Sequence, residues 1–391
     1  MPTTPVRNLM YLAALPLLAP SPGGQMTHLR AGEALRDPKG YERLLVRHHV
    51  LGSTLRLSDG ARFSQVDTSI RKPAHHAQSN TLYRVASITK TATALVTLRL
   101  HEQEPGLLDA QVAQLLPDGE AEAALRGVTV RQLLSHTSGL RDTPALDQAL
   151  AQGSSWHDVL RHPAVRGSRP GERFCYCNFA FGLLGCALEQ LSRQTVDALF
   201  REQLFDPIGM DAALDASTLD RSRMMPISRV LPYHSGRDVL VTPLGGKSLT
   251  APDPLRHFGH TAGAMYTTAL SLSRMLTLID QRGAWEHTQL LKPTTVDEMT
   301  RQHATYGAAS PGMHYGLGLV LLRDPSISGS LVIGHQGYAY GCADGAFLEM
   351  ETGRQMVFLN GGCSEARDGR LGLCNRDLLR WALGKELPSW K

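Results

Sequence analysis

No run of lysines or arginines interrupts this 391-residue chain, and its 40 basic and 36 acidic residues, net +4, are spread along its length. Proteins that track nucleic acid gather positive charge into a patch or stripe, so a nucleic-acid partner is not expected. No apolar stretch approaches the ~20 residues of a membrane-spanning helix. Six cysteines, at 175, 177, 186, 342, 363 and 374, are too few to staple a chain of this size, and Cys175 and Cys177 have no second close pair to complete a zinc site. They read as buried thiols. The 16 histidines include the doublets His48-His49 and His75-His76 but no H-E-x-x-H, so neither a metal nor a cofactor is called for. Internal repeats and low-complexity tracts are also missing.

What remains is an ordinary mixed pattern, long enough for about two domains. Leu9 to Ala19 follow Arg7 and have the length of a signal core, without a clean small-x-small cleavage pair. Two readings stand there: a leader, which makes the protein exported or periplasmic, and a retained apolar segment, which leaves it cytoplasmic. Asp37 to His49 read as a helix, and Leu51 to Leu57 and Ala61 to Ile70 as strands turned at Ser58-Asp59-Gly60. From Ser87 the apolar residues Ile88, Ala92, Leu95 and Leu98 mark one helical face, which closes at Glu104-Pro105-Gly106. The pattern then turns helical and loop-rich to about residue 265, through Leu108 to Asp118, a helix ending in Leu133 to Leu140, and another from Asn178 to Leu191. Strand-like runs return at Tyr315 to Leu322, Ser330 to His335, Cys342 to Met350 and Gln355 to Asn360, before a closing helix from Arg376 to Leu383. Strands at both ends with helices between predict a leader or apolar segment over 1–35, an α/β sheet domain from 36–105 and 265–391, and a mainly helical domain over 106–264.

Three places carry chemistry. Ser87 and Lys90, three apart at a helix start, share one face, so the amine reaches the hydroxyl and can take its proton. The first helical turn also offers free N–H groups to a negative charge arising near Ser87. Tyr176 lies on a loop between the turn at Gly171-Glu172 and the helix from Asn178. An ammonium beside it favours phenolate, which would make it a base near neutral pH, while the Asn178 amide orients Lys90 or binds a substrate carbonyl. A strand ending in His335, followed by Gln336, Gly337 and Tyr338, presents an imidazole over a pocket with a backbone that can approach a ligand. The Tyr338 and Ser87 N–H groups would then flank an oxyanion.

Their order, S-x-x-K, then Tyr-x-Asn, then His-x-Gly, resembles the three motifs of the serine penicillin-recognising enzymes, in the branch of class C β-lactamases, D-alanyl-D-alanine peptidases and family VIII esterases. Leu82 to Lys90 is similar to that family's F-R-I-A-S-x-T-K, Leu133 to Leu140 to its L-L-x-H-T-S-G-L, Pro207 to Met210 to its P-L-G-M, and Ala262 to Thr268 to its A-G-G-L-x-S-T. Tyr315 to Gly318 and His335 to Gly361 follow in the same order. The resemblance implies an α+β fold, an antiparallel five-stranded sheet flanked by helices, with an all-α second domain and a cleft between them. It implies Ser87 as the acylated nucleophile, and Lys90 and Tyr176 as its proton-transfer partners. The Ser87 and Tyr338 amides form the oxyanion hole, and Asn178, His335, Gln336 and Gly337 bind substrate. His136, Thr137 and Gly139 are expected to be structural.

One departure bears on substrate. Where many of these enzymes hold a carboxylate with Lys-Thr-Gly, this chain has His335-Gln336-Gly337, a partly charged group followed by a bulkier one. The expectation is therefore a serine hydrolase acting on a small ester, amide or peptide. A β-lactamase or D,D-carboxypeptidase is the alternative, and a non-catalytic sensor or scaffold of the same fold is the second.

Overall fold

The computed structural model describes residues 37–386, apart from 61, 70–75, 117–119, 232–233, 239–248, 309 and 340. The expected leader, His75, and part of the run to Asp118 lie outside the described residues. Helix α1 (Pro38–Arg47) starts where Asp37 accepts the Gly40 N–H at 2.8 Å and proline fills the first turn. Strands β1 (Gly52–Ser58) and β2 (Phe63–Ser69) follow as the expected hairpin, with Ser58 opposite Phe63 and Gly60 in the left-handed region. Then come α2 (Thr89–Gln103), α3 (Asn178–Ser192) and α4 (Ala269–Asp280). Late in the chain lie β3 (Ala304–Thr305), β4 (Met313–Tyr315), β5 (Val320–Leu322), β6 (Val332–Ala339), β7 (Cys342–Glu349), β8 (Gln355–Asn360) and α5 (Leu373–Ala382).

These strands form one antiparallel sheet in the order β3-β4-β5-β6-β7-β8-β1-β2. The expected five strands are its long members, β1, β2, β6, β7 and β8, and the short ones extend it. The run from Tyr315 to Leu322 is two strands, not one, because Gly316 to Leu319 turn back and set Tyr315 opposite Val320. Strand β6 does not end at His335; it continues to Ala339 along β7, with His335 opposite Ala346 and Gly337 opposite Asp344.

Side chains alternate across the sheet, so each face has its own core. Leu55, Met356 and Phe358 join Tyr41, Leu44, Leu378 and Leu379 of α1 and α5 on one side, where Tyr41 stacks on Trp381. Val357, Leu359, Ala346 and Leu348 face the larger core with α2, α3 and α4 on the other. Five cysteines are buried and Cys175 is half-buried, all six free. Among the described residues no helix is long and apolar enough to cross a membrane.

Helix α2 is the centre of the larger core and is not amphipathic. Every residue from Thr89 to Leu98 is buried. Its polar face is tolerated because threonine hydroxyls bond to carbonyls: Thr91 to Gly318, Thr93 to Thr261, Thr97 to Thr93. Helix α3 is equally enclosed, and two glycines let the segment after Phe258 lie directly on it. A Cβ on Gly182 would sit 1.9 Å from the Phe258 carbonyl oxygen, and one on Gly185 would sit 2.3 Å from the Thr261 hydroxyl.

That contact gives a test. Gly182→Ala is expected to destabilise the protein by about 1–3 kcal/mol through overpacking against backbone, read from the urea unfolding midpoint. Gly329→Ala, where nothing lies within 4 Å of the added Cβ, is the control. Equal midpoints for the two variants would contradict the tight α3 contact.

Candidate active site

Ser87 lies in a 3-10 turn, Ala86–Ile88, ahead of α2 rather than in the α-helix itself. Ala86, immediately before it, has φ +44°, a left-handed conformation that costs an alanine roughly 1 kcal/mol or more. The surroundings hold it there. Val85 N–H donates to Met265 O at 3.0 Å, Thr89 Oγ1 donates to Ala86 O at 2.6 Å, and the same hydroxyl accepts Met265 N–H at 3.1 Å. The result is a half-buried Ser87 between buried neighbours.

Lys90 is fully buried and donates to three oxygens: Ser87 Oγ at 3.1 Å, Asn178 Oδ1 at 2.8 Å and the Ala262 carbonyl at 2.7 Å. Burial pushes its pKa from 10.5 to about 7, with Asp142 and Cys177 pulling the other way. An amine at that value is available as a base near neutral pH. When it loses a proton, the two remaining N–H groups keep the Asn178 and Ala262 oxygens, which turns the lone pair toward Ser87.

Tyr176 comes to the same point. Its ring lies 5.0 Å from Lys90 Nζ, and its phenol is within hydrogen-bonding reach of Ser87. The expected phenolate is corrected, however. Burial raises the Tyr176 pKa well above the ordinary phenol value, more than the Ser87 bond lowers it, so the ring stays a proton donor. His136 clamps its loop: the Cys175 N–H donates to His136 O at 2.8 Å, the Cys177 N–H to His136 Nδ1 at 3.1 Å, and the His136 and Tyr176 rings lie 4.3 Å apart. Gly139, at φ +77°, accepts the Gly167 and Ser168 N–H groups, consistent with a structural part.

On β6 the predicted residues split between the two faces. Gly337 faces the nucleophile turn, and an added Cβ would lie 2.3 Å from Val85 O, so no larger residue fits. His335 is 2 % exposed. Its Nδ1 lies 2.6 Å from the Gln336 carbonyl and its Nε2 3.0 Å from Tyr315 Oη. Since a carbonyl can only accept, Nδ1 carries the hydrogen and Nε2 accepts from Tyr315. Burial, with Lys90 nearby, takes its pKa to about 3, so the imidazole is neutral rather than partly charged. Gln336 turns to the other face, where its amide is spent on Arg370 O and the Gly372 N–H, and it is not brought to Ser87. The Tyr338 side chain turns to the same face as Gln336, its hydroxyl donating to Ala366 O at 3.1 Å.

Two contributors were not foreseen: the Ala262 carbonyl and Asp142. A backbone oxygen has no side-chain signature, although the expected A-G-G-L-like run does contain Ala262. Asp142 accepts from the Asn178 backbone N–H at 3.0 Å and from its amide at 2.7 Å, and nothing in the spacing marks it.

A family model for β-lactamases matches residues 54–359. The chain belongs to the β-lactamase family. Within that family it is 26 % identical over 292 residues to penicillin-binding protein 4 of Amycolatopsis lactamdurans, covering 71 % of this chain and 74 % of the relative. It is 27 % identical over 344 residues to esterase EstB of Burkholderia gladioli, covering 78 % and 84 %. The fold matches the octameric penicillin-binding protein homologue of Pyrococcus abyssi with a TM-score of 0.68 at 18 % identity, over 90 % of this chain and 78 % of that one. The chain is accordingly a serine hydrolase of the β-lactamase family.

If neutral Lys90 is the form that activates Ser87, phosphonylation of Ser87 by a fluorophosphonate should accelerate as pH rises and level off above about 7. The check is the labelling rate measured between about pH 5 and 11. A profile without a rise near 7, or one that Lys90→Ala leaves unchanged, contradicts the assignment.

Proposed function

We propose that this protein hydrolyses a small ester or amide through an acyl-enzyme on Ser87. Ser87 Oγ attacks the substrate carbonyl while neutral Lys90 takes its proton. The negative oxygen then lies between the backbone N–H groups of Ser87 and Tyr338, and such donors are typically worth a few kcal/mol each. The protonated Tyr176 gives its hydrogen to the departing alcohol or amine, and the proton held by Lys90 restores the phenol. Water attacks the acyl carbon in the second half, with the same two groups running in reverse. The observation that carries this reading is the Lys90 amine, buried, near neutral in proton affinity and 3.1 Å from Ser87 Oγ. A scaffold that had lost catalysis would have no need to keep that group desolvated.

The choice of ester or amide over β-lactam rests on β6. A residue that anchors a substrate carboxylate there needs a lasting charge or a free donor. His335 is neutral, with both nitrogens engaged, and Gln336 faces away. One relative is named an esterase and another a penicillin-binding protein, and the β6 chemistry favours the former.

A panel of short-chain p-nitrophenyl esters, D- and L-amino-acid amides and nitrocefin tests both parts. Fluorophosphonate is expected to label Ser87, and Ser87→Ala to lose about a thousandfold or more in turnover of the best substrate. Labelling elsewhere would overturn the acyl-enzyme. Nitrocefin turned over faster than every ester and amide would overturn the substrate class.

A further inference from the structure

Asp142 lies in the turn before the helix Pro144–Gln152, on no element that carries a predicted site residue. Its carboxylate nevertheless closes the start of α3. Oδ2 accepts from the Asn178 N–H at 3.0 Å and from the Asn178 side-chain amide at 2.7 Å, while Oδ1 accepts from the Phe179 N–H at 2.9 Å and the Cys177 thiol at 3.4 Å. The other end of that amide, Oδ1 of Asn178, accepts from Lys90.

We propose that Asp142 is a positioning residue of the acylation site: it fixes the Asn178 amide with its carbonyl oxygen turned to Lys90, and through it fixes the direction of the Lys90 lone pair. The inference rests on Lys90 being the base for Ser87. A primary amide has two ends of nearly the same shape, one that donates and one that accepts. A carboxylate has no hydrogen to give, so it can pair only with the donating end. The accepting end is thereby committed to Lys90. Released from Asp142, the amide can turn its NH2 group to the amine, where it occupies the lone pair that Ser87 needs.

The charge of Asp142 acts along the same line. Lys90 is faced by Ser87 from its own turn, by Asn178 from α3 and Cys177 just before it, by the Tyr176 and Phe181 rings at 5.0 and 5.5 Å, and by the Ala262 carbonyl. His136 and His335 also feel it, and burial keeps both neutral. Asp142 supplies the negative charge that opposes desolvation of the ammonium. Its removal therefore favours the neutral amine and moves the acid limb of the reaction to lower pH.

The experiment follows fluorophosphonate labelling of Ser87 in the full chain. Asp142→Asn is expected to lower the midpoint of the pH profile by about one unit, the size of one charge acting across an amide in a partly solvated setting. It should also slow labelling on the alkaline plateau by about tenfold, as for a lost charge-assisted hydrogen bond. In an Asn178→Ala background that plateau loss should shrink to about twofold or less, because the amide that Asp142 orients is gone. Asp142→Ser, which keeps an oxygen to accept the α3 N–H groups, gives the same readouts should the asparagine variant not fold. Lost helix capping alone would lower the melting temperature in every background and leave the midpoint in place. An unmoved midpoint, or an equal plateau loss with and without Asn178, overturns the proposal. If wild-type Ser87 is not labelled, or Lys90→Ala leaves the profile intact, the underlying reading of the base fails instead.

Discussion

A lysine with no exposed surface sets the terms for this structure. Burying an ammonium costs several kcal/mol unless each of its hydrogens finds an oxygen. The three oxygens around Lys90 come from three separate places: its own turn, the start of α3, and the carbonyl of Ala262. Satisfying one side chain therefore forces three segments to meet at one point. The close contacts nearby follow from that requirement. Gly182 and Gly185 let the Ala262 segment lie against α3, and Gly318 lies where an added Cβ would be 2.6 Å from the Lys90 carbonyl oxygen.

The same packing sorts the protons. Around the amine stand Tyr176, His136, His335 and Tyr315, and burial drives each toward its neutral form. A site so enclosed cannot hold several charges at once. Lys90 is brought to about 7, by desolvation working against the charge of Asp142. The proposed mechanism takes its acid and base roles from that division, the phenol holding its proton and the amine able to accept one.

Much of this was legible in the sequence, for reasons that also mark the limit. Ser87 and Lys90 announce themselves because helical geometry joins positions three apart, and Tyr176, Asn178 and Gly337 because they recur in family order. The hairpin at Asp59-Gly60 and helix α3 carry local signals that the fold obeys. The 3-10 turn at Ser87 carries none, since its left-handed Ala86 is held by contacts with Met265 and Thr89. Helix α2 reads as one-sided because threonine counts as polar, while its hydroxyls in fact bond inside the core. Asp142 acts on a residue 36 positions away, and no periodicity links the two. Charge states were out of reach for the same reason. A phenolate at Tyr176 is sensible beside an ammonium and a partly charged His335 is sensible in water, and it is tertiary burial that reverses both.

The cost of the arrangement falls on stability. An unfolded chain holds the lysine proton up to about 10.5, whereas the folded site gives it up at about 7. Between those values the unfolded state binds more protons than the folded one, so the contribution of Lys90 to stability is poorest below 7 and improves as pH rises toward the ordinary lysine range. The penalty carried at low pH corresponds to several kcal/mol, comparable with the whole net stability of many domains. It is offset by the two cores on either face of the sheet. The size of the fold is in this sense a consequence of its chemistry. A smaller core could place a serine beside a lysine on a helix, but it could not keep that lysine dry.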